Sequence, residues 1–265
     1  MLLGNKYTFI ENIKNGEFGS VVKVSYKNKY YAMKKGDKEL IKYESEIYKK
    51  LKNSNNISKI YDIIENDNKL IMVMDYYILD FNQYKSRAYY SINYVNNILT
   101  YMKDLINIIK YIHKNDIIHR DLKPTNICLD NNYKLFLIDF GISKIYKTNN
   151  KHNDETKIHS IIGSINFSSL NVLNLIEPSR RDDIESIIYI FIYMLLSNEY
   201  YIAYNNLDNI KKKNIDIIIN ILKLNTYQIN YDFFYKLFNY IRRLKYNQEP
   251  NYNYIVETFN QIYMQ

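Results

Sequence analysis

The feature that most constrains this chain is a polar interruption inside an apolar stretch, IIHRDLKPTNICLDNNYKLFLIDFG, at positions 117–141. Five polar residues break the hydrophobic run, namely His119, Arg120, Asp121, Lys123 and Asn126. The run resumes as ICL, turns at two asparagines, continues as KLFLI and then meets Asp139. This order predicts a loop and a hairpin in which apolar flanks hold polar side chains rigidly.

The polar residues of this stretch suit the transfer of a phosphate group. Asp121 and Asp139 are 18 residues apart (139 − 121), and a hairpin between them can return the chain so that both face one space together with Asn126. Oxygen ligands such as those of Asn126 and Asp139 suit Mg²⁺. Asp121 can accept a proton from a hydroxyl, and Lys123 can neutralise charge on a transferred phosphate. The alternative is a polar loop with an ordinary turn. It does not explain why several of these residues match, in order and spacing, the pattern of enzymes that transfer phosphate.

The rest of the chain changes its hydrophobic pattern once, near Tyr77. Before it, the sequence predicts three strands within residues 7–35 (YTFIENI, SVVKVSY and KYYAMKK), a helix from Asp37 to Lys52, and strands at about 59–65 and 69–76. After it, the pattern predicts mostly helices, at 92–114, 182–197, about 206–224, 230–244 and 251–263. We therefore predict an α+β chain with a small sheet-rich lobe (1–75) and a larger, mainly helical lobe (76–265).

Composition excludes several classes of protein. The single cysteine, Cys128, cannot form an intrachain disulfide, and the four histidines show no zinc-ligand spacing. The start, MLLGNKY, lacks a signal-peptide core, and Leu2 excludes N-myristoylation. The longest apolar run, at 187–196, is too short to span a bilayer and predicts a buried helix. We expect a monomeric protein with no membrane partner in the cytoplasm or nucleus, or in a host cytoplasm if the chain is viral.

The net charge of +8 allows two interpretations. One is an acidic partner such as nucleic acid, a membrane surface or a phosphorylated substrate. The other is A/T-rich codon usage, which also accounts for the 30 tyrosines. We favour codon usage, because a nucleic-acid site needs clustered charge and the one tight cluster is 211–213, with no recognition motif.

HRDLKPTN (119–126), followed by DFG (139–141), resembles the catalytic and magnesium-binding segments of eukaryotic protein kinases. The resemblance implies a bilobal kinase fold that uses ATP and Mg²⁺. It implies that Asp121 is the catalytic base and that Asn126 and Asp139 bind Mg²⁺. It also places Lys123 on the transferred phosphate, and a lysine at this position is typical of Ser/Thr kinases rather than Tyr kinases.

The small lobe also resembles the nucleotide-binding part of a kinase. IKNGEFGSV (13–21) is similar to the Gly-rich loop that covers the phosphates, and YAMK (31–34) to the strand that carries the ATP-binding lysine, here Lys34. Lys14 stands in place of the first glycine of the family pattern. The resemblance implies that the nucleotide contacts Ile13, Gly16, Gly19, Val21, Ala32, Lys34, Met74 at the gatekeeper position, the backbone of Asp75 and Tyr77, and Cys128.

Lys34 needs a carboxylate partner on the helix that follows, and two candidates exist. Glu44 lies on the apolar face predicted from Leu40, Ile47 and Leu51, whereas Glu46 points away from it. A glutamate on an apolar face is costly unless it is paired. We therefore predict that Glu44 is the partner.

Several further segments narrow the resemblance to the casein-kinase-one group, which includes the vaccinia-related and poxviral kinases. They are YESEIYKKL (43–51), GSINFSSLN (163–171), EPSRRDDIES (177–186) and YIRRLKYNQEPNYNYI (240–255). Asp183 falls where kinases hold the catalytic-loop backbone, while its neighbour Asp182 has the pattern of a helix cap. Arg242 falls where kinases carry a structural arginine.

We therefore expect an active Ser/Thr protein kinase that acts on protein substrates, with acidic or already phosphorylated substrates as one option. The alternative is a pseudokinase scaffold, which Lys14 favours but the presence of Lys34, Asp121 and Asp139 does not. Candidate anion ligands are Arg120, Lys144 and Lys212. Because Asn166 stands where the family has an arginine, we expect only a weak preference for substrates that carry a phosphate.

Overall fold

The computed structural model describes residues 2–3, 6–16, 19–66, 69–208, 213–224 and 229–262. The chain forms two compact units, the first made of Met1–Asp80 and Ile127–Gly141, the second of Phe81–Asn126 and Ile142–Gln265. These units follow packing rather than sequence order, so the segment 127–141 belongs to the first. The predicted single kinase domain over 1–265, with lobes divided at residue 75, stays a prediction.

In the described residues, strands predominate before residue 81 and helices after it. The strands are β1 (Leu2–Leu3), β2 (Tyr7–Gly16), β3 (Gly19–Tyr26), β4 (Lys29–Asp37), β5 (Ile60–Asn66), β6 (Lys69–Asp75), β7 (Leu79–Asp80), β8 (Ile117–Ile118), β9 (Ile127–Leu129), β10 (Leu135–Leu137), β11 (Lys144–Ile145), β12 (Lys147–Thr148) and β13 (Lys151–His152). The helices are α1 (Lys38–Lys50), α2 (Phe81–Ala88), α3 (Tyr94–Lys114), α4 (Leu170–Leu173), α5 (Arg180–Leu195), α6 (Asn198–Asn205), α7 (Ile215–Lys223), α8 (Tyr231–Arg242) and α9 (Tyr252–Ile262).

The first unit is built on an antiparallel sheet with strand order β1-β2-β3-β4-β6-β5. Alternating residues of these strands point inward, and five of them form a buried cluster: Tyr7, Val24, Met33, Ile71 and Val73. Helix α1 begins after Asp37, whose carboxylate accepts hydrogen bonds from the N–H groups of Glu39 and Leu40. The strands and helix predicted for this part of the chain are confirmed within two or three residues at their ends.

The predicted hairpin inside the opening stretch is confirmed. Strands β9 and β10 pair antiparallel, with Phe136 opposite Cys128, and β9 also pairs with β7. Asp130 closes the turn, because its carboxylate accepts the N–H groups of Asn132 and Lys134. The hairpin thus holds Cys128 in a three-stranded sheet that begins directly after the polar segment 119–126.

The second unit is mainly helical, with α3 and α5 as its most buried helices. The apolar run 187–196 forms most of α5, and apart from Tyr193 its side chains are buried. This confirms the predicted buried helix. Among the residues that the structure describes, no helix is both long enough and apolar enough to cross a membrane.

The single helix predicted over about 206–224 is wrong. The structure has α6 at 198–205 and α7 at 215–223, and it describes 206–208 as non-helical. Each helix has its own N-cap: Ser197 accepts the N–H of Tyr200, and Asn214 accepts those of Asp216 and Ile217. Helix α6 lies before the predicted range and was not predicted, whereas α7 begins nine residues inside that range, after the cap at Asn214. Helix α2 was not predicted.

Lys85 of α2 is a buried cation in the second unit. Its Nζ donates to the carbonyl of Tyr193 at 2.6 Å and lies 4.0 Å from the centre of that ring, and Tyr89 and Tyr201 are also near. Burial lowers the pKa of Lys85 from 10.5 to about 7. The unfolded chain therefore binds more protons between these two pH values, so the stability contributed by this site rises with pH across that window.

We expect Lys85→Met to stabilise the protein by about 1–3 kcal/mol at pH 7, after allowing for the lost hydrogen bond to Tyr193. The gain should shrink towards pH 10, where Lys85 is neutral in the folded state and the unfolded chain, in which the lysine keeps its ordinary pKa of 10.5, has begun to lose its proton. Urea unfolding of both proteins at pH 7 and pH 10 measures it, with the exposed Lys245→Met as the matched control. A stability difference that does not change with pH would contradict the assignment of a low pKa to Lys85.

Candidate active site

Three charged side chains meet in the first unit. Lys34 Nζ lies 2.8 Å from Glu44 Oε2 and 2.8 Å from Asp139 Oδ1. Strand β4 supplies the lysine, α1 the glutamate and the end of the hairpin the aspartate. Burial opposes the charge on Lys34, but the two carboxylates outweigh it and keep the pKa of Lys34 above its ordinary value. The site therefore holds a positively charged lysine at neutral pH.

The structure places Glu44 beside Lys34, as the sequence predicted, but one part of the argument was wrong. Leu40 is 43% exposed and does not belong to the buried face of α1. The buried face is formed by Ile41, Glu44, Ser45, Ile47 and Tyr48, with Leu51 at its end. Glu46 is exposed. Glu44 was still predicted correctly because it lies three residues from Ile41 and three from Ile47, so it is on the buried face even without Leu40.

Helix α1 also holds the backbone around Asp139. The N–H of Asp139 donates to the hydroxyl of Tyr48 at 3.0 Å, and the N–H of Phe140 donates to Glu44 Oε1 at 3.2 Å. The Phe140 ring is fully buried and packs edge-on against Tyr48 at 5.0 Å. Asp139 has φ 69°, a strained value for a residue with a side chain, so these contacts maintain an unfavourable backbone.

Sequence analysis missed the role of Tyr48. The available signal was its position four residues after Glu44, which puts it on the same side of α1.

The residues expected around adenine lie on paired strands of the first unit. Ala32 is opposite Met74, and Val21 is opposite Lys34. Met74 and Cys128 are buried, and burial raises the pKa of the Cys128 thiol to about 12, so the thiol is neutral and unreactive. These positions provide the apolar surface that an adenine ring needs.

Several hydrogen-bonding groups of Asp75, which follows Met74, already have partners within the chain. The N–H of Asp75 donates to the carbonyl of Lys59. The carboxylate of Asp75 accepts the N–H of Lys59 and the hydroxyl of Tyr61. Of the Asp75 backbone, only the carbonyl could therefore meet an adenine edge. The Tyr77 ring stacks on Phe136 at 4.7 Å.

The Gly-rich segment forms the end of the β2–β3 hairpin, where Gly16 is opposite Gly19. Gly19 has φ 136°, and a Cβ atom there would lie 2.1 Å from the carbonyl oxygen of Lys35, so no other residue fits without a shift. Lys14 is exposed opposite Val21, and Ile13, beside a register shift of β2, is 48% exposed. Both glycines of the motif thus lie at the hairpin end, and Gly19 is required by close backbone approach.

Asp121 in the second unit is held by three polar side chains. Its Oδ2 lies 2.6 Å from Lys123 Nζ, and its Oδ1 accepts the hydroxyl of Ser164 at 2.8 Å. The amide nitrogen of Asn126 donates to the Asp121 carbonyl at 2.9 Å, which leaves the amide oxygen of Asn126 as its metal-binding atom. Ser164 also accepts from Lys123 at 3.1 Å. The carboxylate is therefore fixed in orientation.

Ser164 was not predicted as a site residue. It lies in the GSIN segment, which the sequence analysis singled out only for Asn166.

The backbone before Asp121 depends on Asp183, as predicted. Asp183 accepts the N–H groups of His119 and Arg120 at 2.8 and 2.9 Å and the Nε2 of His113 at 2.9 Å. Burial pushes the pKa of Asp183 upward, but these hydrogen bonds outweigh it and the pKa lies below its ordinary value. Arg120 has φ 68°, so Asp183 stabilises a strained loop. The cap predicted at Asp182 lies three residues earlier: Ser179 is the N-cap of α5, and Asp182 completes its capping box from the third helical position.

The cations proposed as anion ligands mostly contact groups of the chain itself. Arg120 and Lys144 both reach Glu177 Oε1, at 3.3 and 3.0 Å, and Glu177 is buried. Lys212 lies outside the described residues. Its neighbour Lys213 is buried and donates to the Asn166 carbonyl at 2.8 Å. The anion roles stay a prediction, and sequence analysis did not identify Glu177 as the partner of two of these cations.

Arg242 has the structural role that was predicted. Its guanidinium lies 2.8 Å from Glu185 Oε1 and donates to the hydroxyl of Tyr189 and the carbonyl of Lys213.

The oxygen donors of Asn126 and Asp139 suit Mg²⁺, which is commonly held by one or two carboxylates together with substrate phosphates. Within the described residues, no group of three or more His, Cys, Asp or Glu side chains could hold a metal ion by itself. Asp139 Oδ1 faces Lys34, and the amide nitrogen of Asn126 is bound by Asp121. Each of these oxygen donors by itself suits an ion that takes its other ligands from phosphates and water.

Comparison with known proteins identifies a family and similar proteins within it. The family model "protein kinase domain" matches residues 7–256. The chain is similar to a probable casein kinase I homolog of Encephalitozoon cuniculi (strain GB-M1), with 27% identity over 273 residues that cover 97% of this chain and 85% of that protein. It is also similar to the solved structure of vaccinia related kinase 3, with a TM-score of 0.74, 16% identity, and coverage of 96% of this chain and 86% of that one.

Proposed function

Because the chain belongs to the protein kinase family, we propose that it transfers the γ-phosphate of ATP to Ser and Thr hydroxyls of protein substrates. The family model and the likeness to the solved structure confirm the predicted α+β kinase fold, and the similarity to the casein kinase I homolog supports the resemblance to the casein-kinase-one group. The observation that carries the proposal is the fixed carboxylate of Asp121, with Lys123 and Ser164 on its two oxygens.

The charged groups divide the work of such a transfer. Lys34, kept protonated by Glu44 and Asp139, binds the phosphates of ATP. Asp121 accepts the proton of the acceptor hydroxyl, and Lys123 stabilises negative charge on the phosphate in transfer. Asn126 and Asp139 are the residues that would hold Mg²⁺, which when bound supplies positive charge to the phosphate oxygens.

The remaining predicted contacts surround the nucleotide base and the phosphates. Val21, Ala32, Met74 and Cys128 offer apolar contact to adenine, and the backbone of Asp75 and Tyr77 offers polar contact to its edge. Ile13, Gly16 and Gly19 belong to the hairpin end that would cover the phosphates. The support is the pairing of these positions on neighbouring strands.

Two facts support Ser/Thr rather than Tyr as the acceptor. Lys123 stands in the catalytic loop and contacts Asp121, and the relative from Encephalitozoon cuniculi is described as a casein kinase I homolog. The test is transfer of radiolabelled phosphate from ATP to a mixed protein substrate, followed by phosphoamino-acid analysis. Phosphoserine and phosphothreonine are expected, and mainly phosphotyrosine would refute the acceptor assignment.

Lys14 supports a second candidate function, a scaffold that binds nucleotide or partner proteins with little catalysis. It replaces a glycine in the segment that would approach the phosphates. Nucleotide binding without any transfer would favour this candidate. Lys14→Gly distinguishes the two: a restored transfer rate in that variant would mean that the lysine had removed catalysis from an otherwise complete site.

Replacement of Glu44 by Gln is expected to lower kcat/KM by about ten- to a hundredfold, whereas Glu46→Gln should change it less than twofold. Gln cannot form the charge-assisted bond to Lys34, which is worth about 1.5–3 kcal/mol. Glu46 is exposed on the same helix and is the matched control. Steady-state kinetics on both variants measure the effect, and equal losses would show that the pair with Lys34 does not support catalysis.

The enzyme is expected to need no phosphorylation of its activation segment, the residues between Asp139 and Asn171. The carboxylate of Glu177 already pairs with Arg120 and Lys144, so these two cations have a negatively charged partner without an added phosphate. Phosphatase treatment should leave activity unchanged, and Glu177→Gln should lower it about tenfold. Glu257→Gln, at an exposed position of α9, is the control. Loss of activity on dephosphorylation would contradict this expectation.

A further inference from the structure

A cavity of about 800 Å³ opens in the second unit beside the partners of Asp121. Its lining includes Lys123 and Ser164, so one edge of the cavity is the group that holds the Asp121 carboxylate. The volume is within the range of about 300–1,000 Å³ that is usual for ligand sites. Whatever occupies this cavity therefore lies next to the proposed acceptor position.

Another part of the lining is aromatic. Phe167 and Tyr193 meet at right angles with ring centres 5.9 Å apart, and Tyr193 and Tyr201 meet at 4.6 Å and 76°. All three are only partly buried, so each presents ring surface to the cavity. Lys85 fixes this corner from within, because it donates to the carbonyl of Tyr193 and lies against its ring. The corner is a preformed apolar surface rather than a loose group of side chains.

The charged group that lines the cavity already has partners within the chain. Lys123 is the one charged residue among the described residues of the lining, and its Nζ contacts Asp121 and Ser164. Lys213, the described member of the basic cluster, is buried and donates to the Asn166 carbonyl. Asn166 itself lines the cavity with an uncharged amide. In the described part of the chain, the lining offers no second cation for a substrate phosphate.

We propose that this cavity binds the part of a protein substrate that flanks the acceptor hydroxyl, and that it selects an aromatic or large aliphatic side chain there rather than a phosphorylated residue. The inference rests on the proposed kinase function and narrows its substrate class. A Phe or Leu side chain that moves out of water into this corner should improve kcat/KM about ten- to a hundredfold over Ala at the same position. A phosphoserine at that position should give no such gain.

The test uses peptides with one Ser acceptor in which each position up to four residues on either side is varied among Ala, Leu, Phe and phosphoserine. At one position the wild type should favour Phe or Leu over Ala at least tenfold. Tyr201→Ala should reduce that ratio to below threefold, and Tyr201→Phe should retain it. Ile202→Ala is the matched control, because Ile202 is on the same helix, is 61% exposed and does not line the cavity.

Asn166→Arg provides a second variant, which does not depend on removing an aromatic ring. It adds a guanidinium to the cavity and should raise the preference for phosphoserine over Ala about tenfold. A wild-type preference of a hundredfold or more for phosphoserine would overturn the proposal and assign the selectivity to a basic group outside the described residues. Equal rates for Ala, Leu and Phe at all positions would also overturn it.

Failure of the kinase function itself would give a different result. If no peptide is phosphorylated, fluorescence anisotropy with labelled Phe and Ala peptides still measures the preference of the cavity without nucleotide. Binding of the Phe peptide at least tenfold tighter, lost in Tyr201→Ala, would support the cavity assignment while the proposed transfer is rejected. Equal binding of the two peptides would reject the cavity assignment.

Discussion

Asp121→Asn is expected to lower the rate of phosphate transfer by about a hundred- to ten-thousandfold, the range usual for loss of a positioned general base. An amide cannot accept the proton of the acceptor hydroxyl, although it has nearly the shape of the carboxylate. The fold should persist, because the loop backbone is held by Asp183 through the N–H groups of His119 and Arg120. Radiolabel transfer measures the rate, and circular dichroism with thermal unfolding checks the fold.

The matched control for Asp121→Asn is Asp154→Asn, which makes the same chemical change at an exposed position of the same unit. It should retain full activity. Nucleotide binding should also survive in Asp121→Asn, since the residues proposed to contact ATP are unchanged. Activity within tenfold of wild type in a folded Asp121→Asn protein would exclude Asp121 as the base.

Lys34→Met is expected to cost about a thousandfold or more in kcat/KM. The variant loses the cation proposed to bind the ATP phosphates, and it also leaves Glu44 without its charged partner. Removal of one member of a buried pair can destabilise a protein by about 3–5 kcal/mol. Here Glu44 keeps the N–H of Phe140 as a donor and can take up a proton, so a folded but less stable protein is expected.

Two further variants separate lost catalysis from lost stability. Lys34→Met combined with Glu44→Gln removes the unpaired carboxylate, so it should recover stability without recovering activity. Lys35→Met changes the neighbouring lysine of β4, whose side chain points to the other face of the sheet, and should remain active. Recovered activity in the double variant, or full activity in Lys34→Met, would show that catalysis does not need Lys34 to bind the phosphates of ATP.

The predictions that succeeded relied on local patterns. The hairpin 127–137 followed from an apolar–turn–apolar order, and the pair of Lys34 with Glu44 followed from the cost of a carboxylate on an apolar helix face. Even so, the face was misjudged, because Leu40 is at the exposed start of α1. Near the end of a helix, an apolar residue need not be buried, and periodicity alone does not show this.

Predictions failed or were absent where the relevant contact joins distant parts of the chain. Tyr48 and Asp139 are 91 residues apart, and Ser164 and Asp121 are 43 apart. The partner of Arg120 and Lys144 is Glu177, at least 33 residues away. The single helix expected over 206–224 failed for a local reason: Asn214 accepts the N–H groups of Asp216 and Ile217 and so begins a helix inside that range.

The sequence by itself determined the kind of chemistry this protein can perform. Motif order, turn residues and helix periodicity are local, and they specify which side chains a loop or helix presents. Only the tertiary structure decided how those side chains are used. It paired Arg120 and Lys144 with Glu177 and buried Lys213 beneath Asn166, so side chains that count as charges in the sequence are internal ion pairs and hydrogen bonds. The physical reason is that a charge is available to a substrate only if folding has not already satisfied it.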